Sequence, residues 1–446
     1  MRSFMRPLLL SFVVAGVLAW CGVDAHAQNW GNWRGPNHDG STSETKLPTK
    51  ISKEENVKWA IDLPGDGAAT PVVWGDRVFV SVGTPENQML AIAYDRQTGK
   101  ELWKHVVAEA KPTDRNSNKA GPSPATDGKH VIFFYGSGDL VGYTVEGKKV
   151  WQRQLCEEYG DFSFMWSFSS SPVIHDGAAY LPILQRAGHQ YREPKFKAST
   201  ESFILAFNPA TGENIWKVAR PSAAVAESLE AFTTIVPFKN GDRDELLVTG
   251  GDCITGHDPK TGKELWRWAT WNPSKIGHWR LVPSPVAGAG IVLVCAPKGD
   301  PVYAIKLGGN GDISENGLAW KSSNRNISSD VSTPLFYMGK FYVLNSVIKS
   351  LVCVEPKDGS VIWEIEKLPG QAKYEASPTG ADGKIYTISH KGELDVIDAT
   401  TGKVLHSTDL SVPGTANNRP SVVVSQGSLF IKVHNKLYCF GDSNLN

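Results

Sequence analysis

The chain has no surplus of charge of either sign. Its 446 residues carry 46 basic and 46 acidic side chains. A nucleic-acid-binding protein usually shows a basic excess, so that class of partner is not expected. Paired cysteines are also missing. No Cys-x-x-Cys spacing and no two adjacent cysteines occur, which removes the usual zinc pattern. Beyond Cys21 the cysteines are Cys156, Cys253, Cys295, Cys353 and Cys439. Five is an odd number, so at least one thiol is free or pairs outside the chain. Four of them sit in apolar runs such as "VLVC" and "LVCVE", where cysteine behaves as a small buried hydrophobe. The nucleophile-elbow, His-Glu-x-x-His and phosphate-loop patterns are absent, so no common hydrolase or nucleotide motif is on offer. Long apolar runs at helical spacing are scarce.

What is present are short β-branched or aromatic runs bounded by Gly, Pro, Asp and Asn. That is the pattern of an all-β fold. The start of the chain stands apart. Arg2 and Arg6 precede the apolar run "PLLLSFVVAGVLAW", and "AHA" follows at residues 25–27. This reads as a signal peptide over 1–27. The apolar run is short of the ~20 residues a membrane span needs, and no later segment is apolar enough to span. Export to the periplasm or beyond is expected. Residues 28–55 read as an N-terminal extension and 56–446 as the folded body.

The body repeats itself. "DRQTGKELW" (95–103), "NPATGENIW" (208–216), "DPKTGKELW" (258–266), "EPKDGSVIW" (355–363) and "DATTGKVLH" (398–406) are variants of one nine-residue phrase. Each closes a longer unit. A unit opens on "SP" or "TP", runs through three strands, and ends with the phrase and a fourth, aromatic-bearing strand. The closing aromatics are Trp59, Trp103, Trp151, Trp216, Trp266, Trp320, Trp363 and, in the same place, His406, spaced 43 to 65 residues apart. A four-stranded repeat of roughly 40–50 residues predicts a β-propeller blade. The stretch "NVKWAID" supplies a fourth strand without the first three. Residues 419–440 supply three strands without a fourth. Pairing them avoids two open sheet edges and gives eight blades. Blade 5 is the least regular, because "LGGNGDISENG" replaces its phrase.

Within the phrase, glycine at the fifth place supplies a positive φ. The leading Asp or Asn can accept bonds from the turn. The aromatic can fill the wedge between blades. The phrase is therefore expected to be a packing device rather than a site.

The repeated Asp-x-x-Thr-Gly-x-x-x-Trp unit resembles the PQQ-like, or quinoprotein-like, β-propeller repeat. The lead-in "NWGNWRGPNHDG" (29–40) resembles that of exported bacterial proteins of the BamB-like family. The resemblance implies an eight-bladed propeller. It reaches both quinone-dependent dehydrogenases and non-catalytic scaffolds.

The turns between strands one and two, and three and four, share one face and are short and uniform. The other face holds the long segments, including 104–121, 156–168, 185–202, 220–232 and 269–282. Loops carry function on a rigid scaffold, so the site is expected there. Residues just before each inner strand should ring the channel mouth: Lys119, Trp166, Glu230, Trp279, Arg280, Asp330, Tyr374, Glu375, Asn417, Asn418 and Arg419. The ring suits a small polar ligand or a protein segment. The insertion 185–202 is locally basic, with Arg186, His189, Tyr191, Arg192, Lys195 and Lys197.

Three functions follow. The leading expectation is an exported, non-catalytic propeller that binds a protein partner or small polar ligand, with no cofactor and no metal. The alternative is a PQQ-dependent dehydrogenase that oxidises an alcohol or sugar with calcium. Its carboxylates would be among Glu230, Asp330 and Glu375, and its stacking group Trp166 or Trp279. A carbohydrate-active propeller would need two carboxylates across a cleft, Glu230 and Glu375 being the candidates.

Overall fold

The computed structural model describes residues 28–111, 118–186, 196–199, 201–269, 271–415 and 417–442. The expected leader, 1–27, and most of the basic insertion (His189, Tyr191, Arg192 and Lys195) lie outside them. Eight antiparallel sheets make up the fold among these residues. Blade 1 is typical, with strands Val72–Trp74, Arg77–Gly83, Gln88–Asp95 and Glu101–Glu109. Its middle strands are buried almost throughout, because neighbouring blades cover both faces. The fourth strand alternates between exposed and half-buried residues, as a strand packed on one face must.

The eighth sheet closes the ring as the repeat count requires. Val57–Asp62 pairs antiparallel with Lys436–Gly441, the outermost of the three C-terminal strands. Blade 4 gains an extra strand. Gly311–Asp312, from the irregular loop of blade 5, pairs in parallel with its edge strand Glu264–Trp268.

The phrase locks each blade to the one before it. The Trp59 indole N–H donates to the Arg96 carbonyl at 2.9 Å, Trp151 to Pro209 at 2.8 Å, Trp216 to Pro259 at 3.0 Å, Trp320 to Pro356 at 2.7 Å and Trp363 to Ala399 at 3.1 Å. Each acceptor is the second residue of the next blade's phrase. The glycine of that phrase has a positive φ and lies under the same indole. A Cβ on Gly262 would sit 2.7 Å from the Trp216 ring. Where the phrase is lost the bond is redirected. Trp266 faces the degenerate blade 5 and turns to Glu245 of its own sheet. His406 reaches the Ile51 carbonyl at 2.7 Å.

A second ring runs around the channel. The Ser or Thr that opens each unit accepts a hydrogen bond from the backbone N–H of its counterpart in an adjoining blade. The order is Thr70, Ser123, Ser171, Thr234, Ser284, Thr333, Ser377 and Ser421, with distances from 2.8 to 3.2 Å. Ser421 returns to Thr70, so all eight bonds form a closed circle. The "SP" signature is thus an inter-blade bond as well as a strand start.

The N-terminal segment is part of the body. Trp30 exchanges backbone bonds with Val73 of blade 1, the Gly31 carbonyl accepts from Thr126 N of blade 2, and the Asn32 side chain bonds both backbone groups of Ile174 in blade 3. The Arg34 guanidinium then donates to the carbonyls of Pro334 and Pro378, in blades 6 and 7, at 2.9 and 3.0 Å. The Glu44 carboxylate accepts from the backbone of Gln426 and Gly427 in blade 8. The segment therefore crosses the channel end on the uniform face and gives the channel a floor.

All five described cysteines are free and buried. For the four in apolar runs this matches the sequence context.

Candidate functional site

The channel above this floor holds a cavity of about 480 Å³, within the ~300–1,000 Å³ range of small-molecule sites. Five of the expected mouth residues line it: Trp166, Arg280, Glu375, Asn417 and Arg419. The other six do not. Glu230 is fully buried, paired with Arg186 at 2.5 Å and accepting from Met165 N at 3.1 Å. Trp279 packs against the core between blades 4 and 5. Tyr374 is also fully buried and donates to Asp395 Oδ2 at 2.6 Å. Asn418 is buried and accepts from His434 N. Asp330 stands behind Arg280 and accepts from Lys298 N. Lys119 lines a neighbouring cavity of about 150 Å³ that shares Trp166. The physical reason is common to most of these. Residues next to an inner strand alternate in direction, so a neighbour in sequence points into a blade interface rather than the channel.

Reading along the chain missed four contributors. Trp33 reaches the cavity from the crossing segment. Lys373, His390 and the hydroxyl ring complete its wall. The repeated "SP" held the signal for the ring. Nothing local marked Trp33, because its place depends on long-range bonds to several blades.

The electrostatics centre on Glu375. Its carboxylate lies 2.7 Å from His390 Nε2 and 2.9 Å from Arg419 Nε. Burial alone would raise its pKa, but His390 and Arg419 outweigh it and hold the group at about 2. It is therefore ionised and a poor proton acceptor. Across the cavity Arg280 sits between Glu227 and Asp330, each 3.8 Å away. The Trp166 indole donates to Glu227 at 3.3 Å, and the side chain remains 39% exposed. Lys373 adds a third cation.

Ser123, Ser171, Thr234, Ser377 and Ser421 present the hydroxyl ring to the cavity. Each is at least 94% buried. Each oxygen already accepts a backbone N–H. A hydroxyl that accepts still has a proton to donate, and among the described residues no protein acceptor meets it.

A metal ion is poorly served. The described residues contain no group of three or more His, Cys, Asp or Glu side chains able to hold one. Calcium and lanthanides require several oxygen ligands. Glu375 is the one carboxylate on the described cavity wall, and its charge is already met by two partners. Glu230 and Glu375 do not face each other across the cavity, so the paired-carboxylate arrangement for sugar hydrolysis is not formed.

Comparison with known proteins adds to this geometry. A family described as outer membrane protein assembly factor BamB matches residues 48–192 and 200–442. A quinohemoprotein alcohol dehydrogenase ADH IIB of Pseudomonas putida is 22% identical over 434 residues, covering 91% of this chain and 52% of that protein. A polyvinylalcohol dehydrogenase of a Pseudomonas species is 24% identical over 241 residues, covering 47% of this chain and 35% of that protein. The chain thus spans about a third to a half of these relatives' lengths. Among solved structures, a europium-containing methanol dehydrogenase superposes with a TM-score of 0.67 at 11% identity, covering 93% of this chain and 98% of that one. BamB from Moraxella catarrhalis superposes at 0.58 and 14% identity, covering 87% and 98%. These likenesses establish the shared fold.

Two expectations are corrected by this. The non-catalytic binding propeller is not favoured, since the matched relatives are mostly alcohol-oxidising dehydrogenases. The expectation of no cofactor falls with it, since those relatives include quinohemoproteins. With the family match spanning nearly all of an eight-bladed body, the chain belongs to the PQQ-like propeller family described by outer membrane protein assembly factor BamB.

Proposed function

We propose that the chain is an exported oxidoreductase that oxidises an alcohol with a quinone of the pyrroloquinoline class held in the channel cavity. The observation that carries this reading is the cavity itself. Two indoles, Trp33 and Trp166, and three cations, Arg280, Lys373 and Arg419, converge on one space of about 480 Å³. Such a quinone is planar and bears three carboxylates. Indoles suit its faces. Guanidinium and ammonium groups suit its carboxylates. The residues present fit the quinone, whereas they do not fit the metal.

The quinone would accept two electrons from the alcohol carbon. The chain's own task is to bind, orient and take a proton. His390, whose Nε2 lies 2.7 Å from the Glu375 carboxylate, is the group we assign to accept the alcohol's hydroxyl proton on its other ring nitrogen. This is the arrangement of a base oriented by an acid. Glu375 itself, held near 2, serves as orienter. Closure of the channel by the crossing segment leaves the loop-rich face as the entrance. Export rests on the leader pattern of residues 1–27.

The test is dye-linked oxidation of a panel of primary and secondary alcohols by the purified chain loaded with the quinone. His390→Ala should lower kcat by ~10²-fold or more while the quinone remains bound. Loaded protein that reduces no dye with any alcohol would remove the reading.

A further inference from the structure

We propose that the cavity seats its polycarboxylate without a divalent metal, the hydroxyl ring and the wall cations taking the place of the ion. The inference rests on the quinone reading for the identity of the occupant. It departs from that reading in how the occupant is held.

Two independent observations converge. The first is the donor set. The wall offers Arg280, Lys373 and Arg419 against the single lining carboxylate of Glu375, with Glu227 and Asp330 3.8 Å behind Arg280. Glu375 is already faced by His390 and Arg419. A divalent cation placed beside it would meet an imidazole and a guanidinium before it met a second carboxylate. The second observation is the hydroxyl ring. Five buried hydroxyls on the cavity wall, Ser123, Ser171, Thr234, Ser377 and Ser421, have their oxygens engaged by backbone N–H groups, and their protons meet no acceptor among the described residues. A buried donor without a partner is costly. A set of them converging on one axis is met by an acceptor-only group, and a carboxylate is one. The bond pattern fixes the oxygens rigidly, because each is held by a neighbouring blade. The seat is therefore organised before any ligand arrives.

Ser377 and Ser421 lie next to Arg419 and Glu375 in the same wall, so the hydroxyls and the cations address one end of the ligand. Neutralising a carboxylate with arginine and serine donors leaves no step in binding that requires calcium.

The experiment is calorimetric titration of the full chain with three probes: pyrroloquinoline quinone in EDTA, the same quinone in excess calcium, and benzene-1,3,5-tricarboxylate in EDTA. The expected result is quinone binding with Kd values within about twofold in EDTA and calcium, and weaker but measurable binding of the tricarboxylate. Ser377→Ala should weaken quinone binding about tenfold in EDTA, and Ser377→Thr should restore it. Both variants are first matched to the native protein in thermal midpoint. Quinone binding seen only with calcium overturns the metal-free seat and leaves the quinone reading standing. Tricarboxylate binding without quinone binding keeps the seat and removes the quinone reading. Binding of neither overturns both.

Discussion

The backbone N–H of Ser421 donates to Oγ1 of Thr70 at 2.9 Å, and this bond joins the last blade to the first. It is the eighth link in a circle whose other seven run between consecutive blades. Thr70 and Ser421 are 351 residues apart in the chain. Their contact fixes the blade number at eight as firmly as the pairing of Val57–Asp62 with Lys436–Gly441 does.

Breaking that link should loosen the ring. Thr70→Val keeps the shape of the side chain and removes the acceptor, leaving a buried N–H unsatisfied. A loss of about 1–3 kcal/mol is expected in chemical denaturation. Thr70→Ser keeps the oxygen and should cost less than about 1 kcal/mol. Equal losses for the two would show that the bond is not what matters.

A phrase glycine and a turn glycine outside the phrase give a controlled pair. Gly262 has φ +73° and an added Cβ would lie 2.7 Å from the Trp216 ring; Gly290 has φ +80° and nothing within 4 Å of such a Cβ. Gly290→Ala should cost roughly 1–2 kcal/mol of backbone strain alone. Gly262→Ala should cost about 1–3 kcal/mol more, from the clash with the indole. Thermal midpoints of the two variants decide it.

Stability should depend on pH through Glu375. Its folded pKa of about 2 lies below the ordinary 4.5. A depressed acid stabilises the fold fully above its unfolded value, and that contribution is lost as pH falls from 4.5 toward 2. Glu375→Gln should flatten the stability profile in that window, as urea titrations at stepped pH would reveal. An unchanged slope would mean the ion pairs with His390 and Arg419 do not persist in solution.

Asp252 behaves in the opposite sense. Burial raises its pKa from 3.8 to about 6, although Asn272 and Trp271 hydrogen bonds oppose the shift. Here the folded state holds the proton more tightly, so stability falls as pH rises through 3.8 to 6. Asp252→Asn removes the ionisable group and keeps an oxygen for the Asn272 amide, now 2.8 Å from Oδ2. A gain on the order of 1 kcal/mol at pH 7.5, discounted for residual solvent, and little change at pH 4 are expected. The measurement is the thermal midpoint at both values.

Much of the fold was legible because the repeat states it eight times. Trp59 without its blade, and residues 419–440 without their fourth strand, implied the closure before any coordinate. The site was legible only in part. Arg280, Glu375 and Arg419 lie two to four residues before an inner strand's opening hydroxyl and line the channel cavity. Tyr374, beside Glu375, points into the blade and bonds Asp395. A strand approach alternates, and no local pattern told which neighbour faces inward. Trp33 was illegible for another reason. Its segment has no strand periodicity, and its path over the channel is set by Arg34 reaching carbonyls 300 and 344 residues away.

Electron transfer from an alcohol to a quinone in this cavity is the decisive property. The direct measurement is anaerobic mixing of the quinone-loaded chain with a primary alcohol, followed by the quinone's absorbance and by aldehyde formed. Bleaching with one aldehyde per quinone, slowed by His390→Ala, is the expected result. A loaded protein whose quinone stays oxidised across the alcohol panel would contradict it.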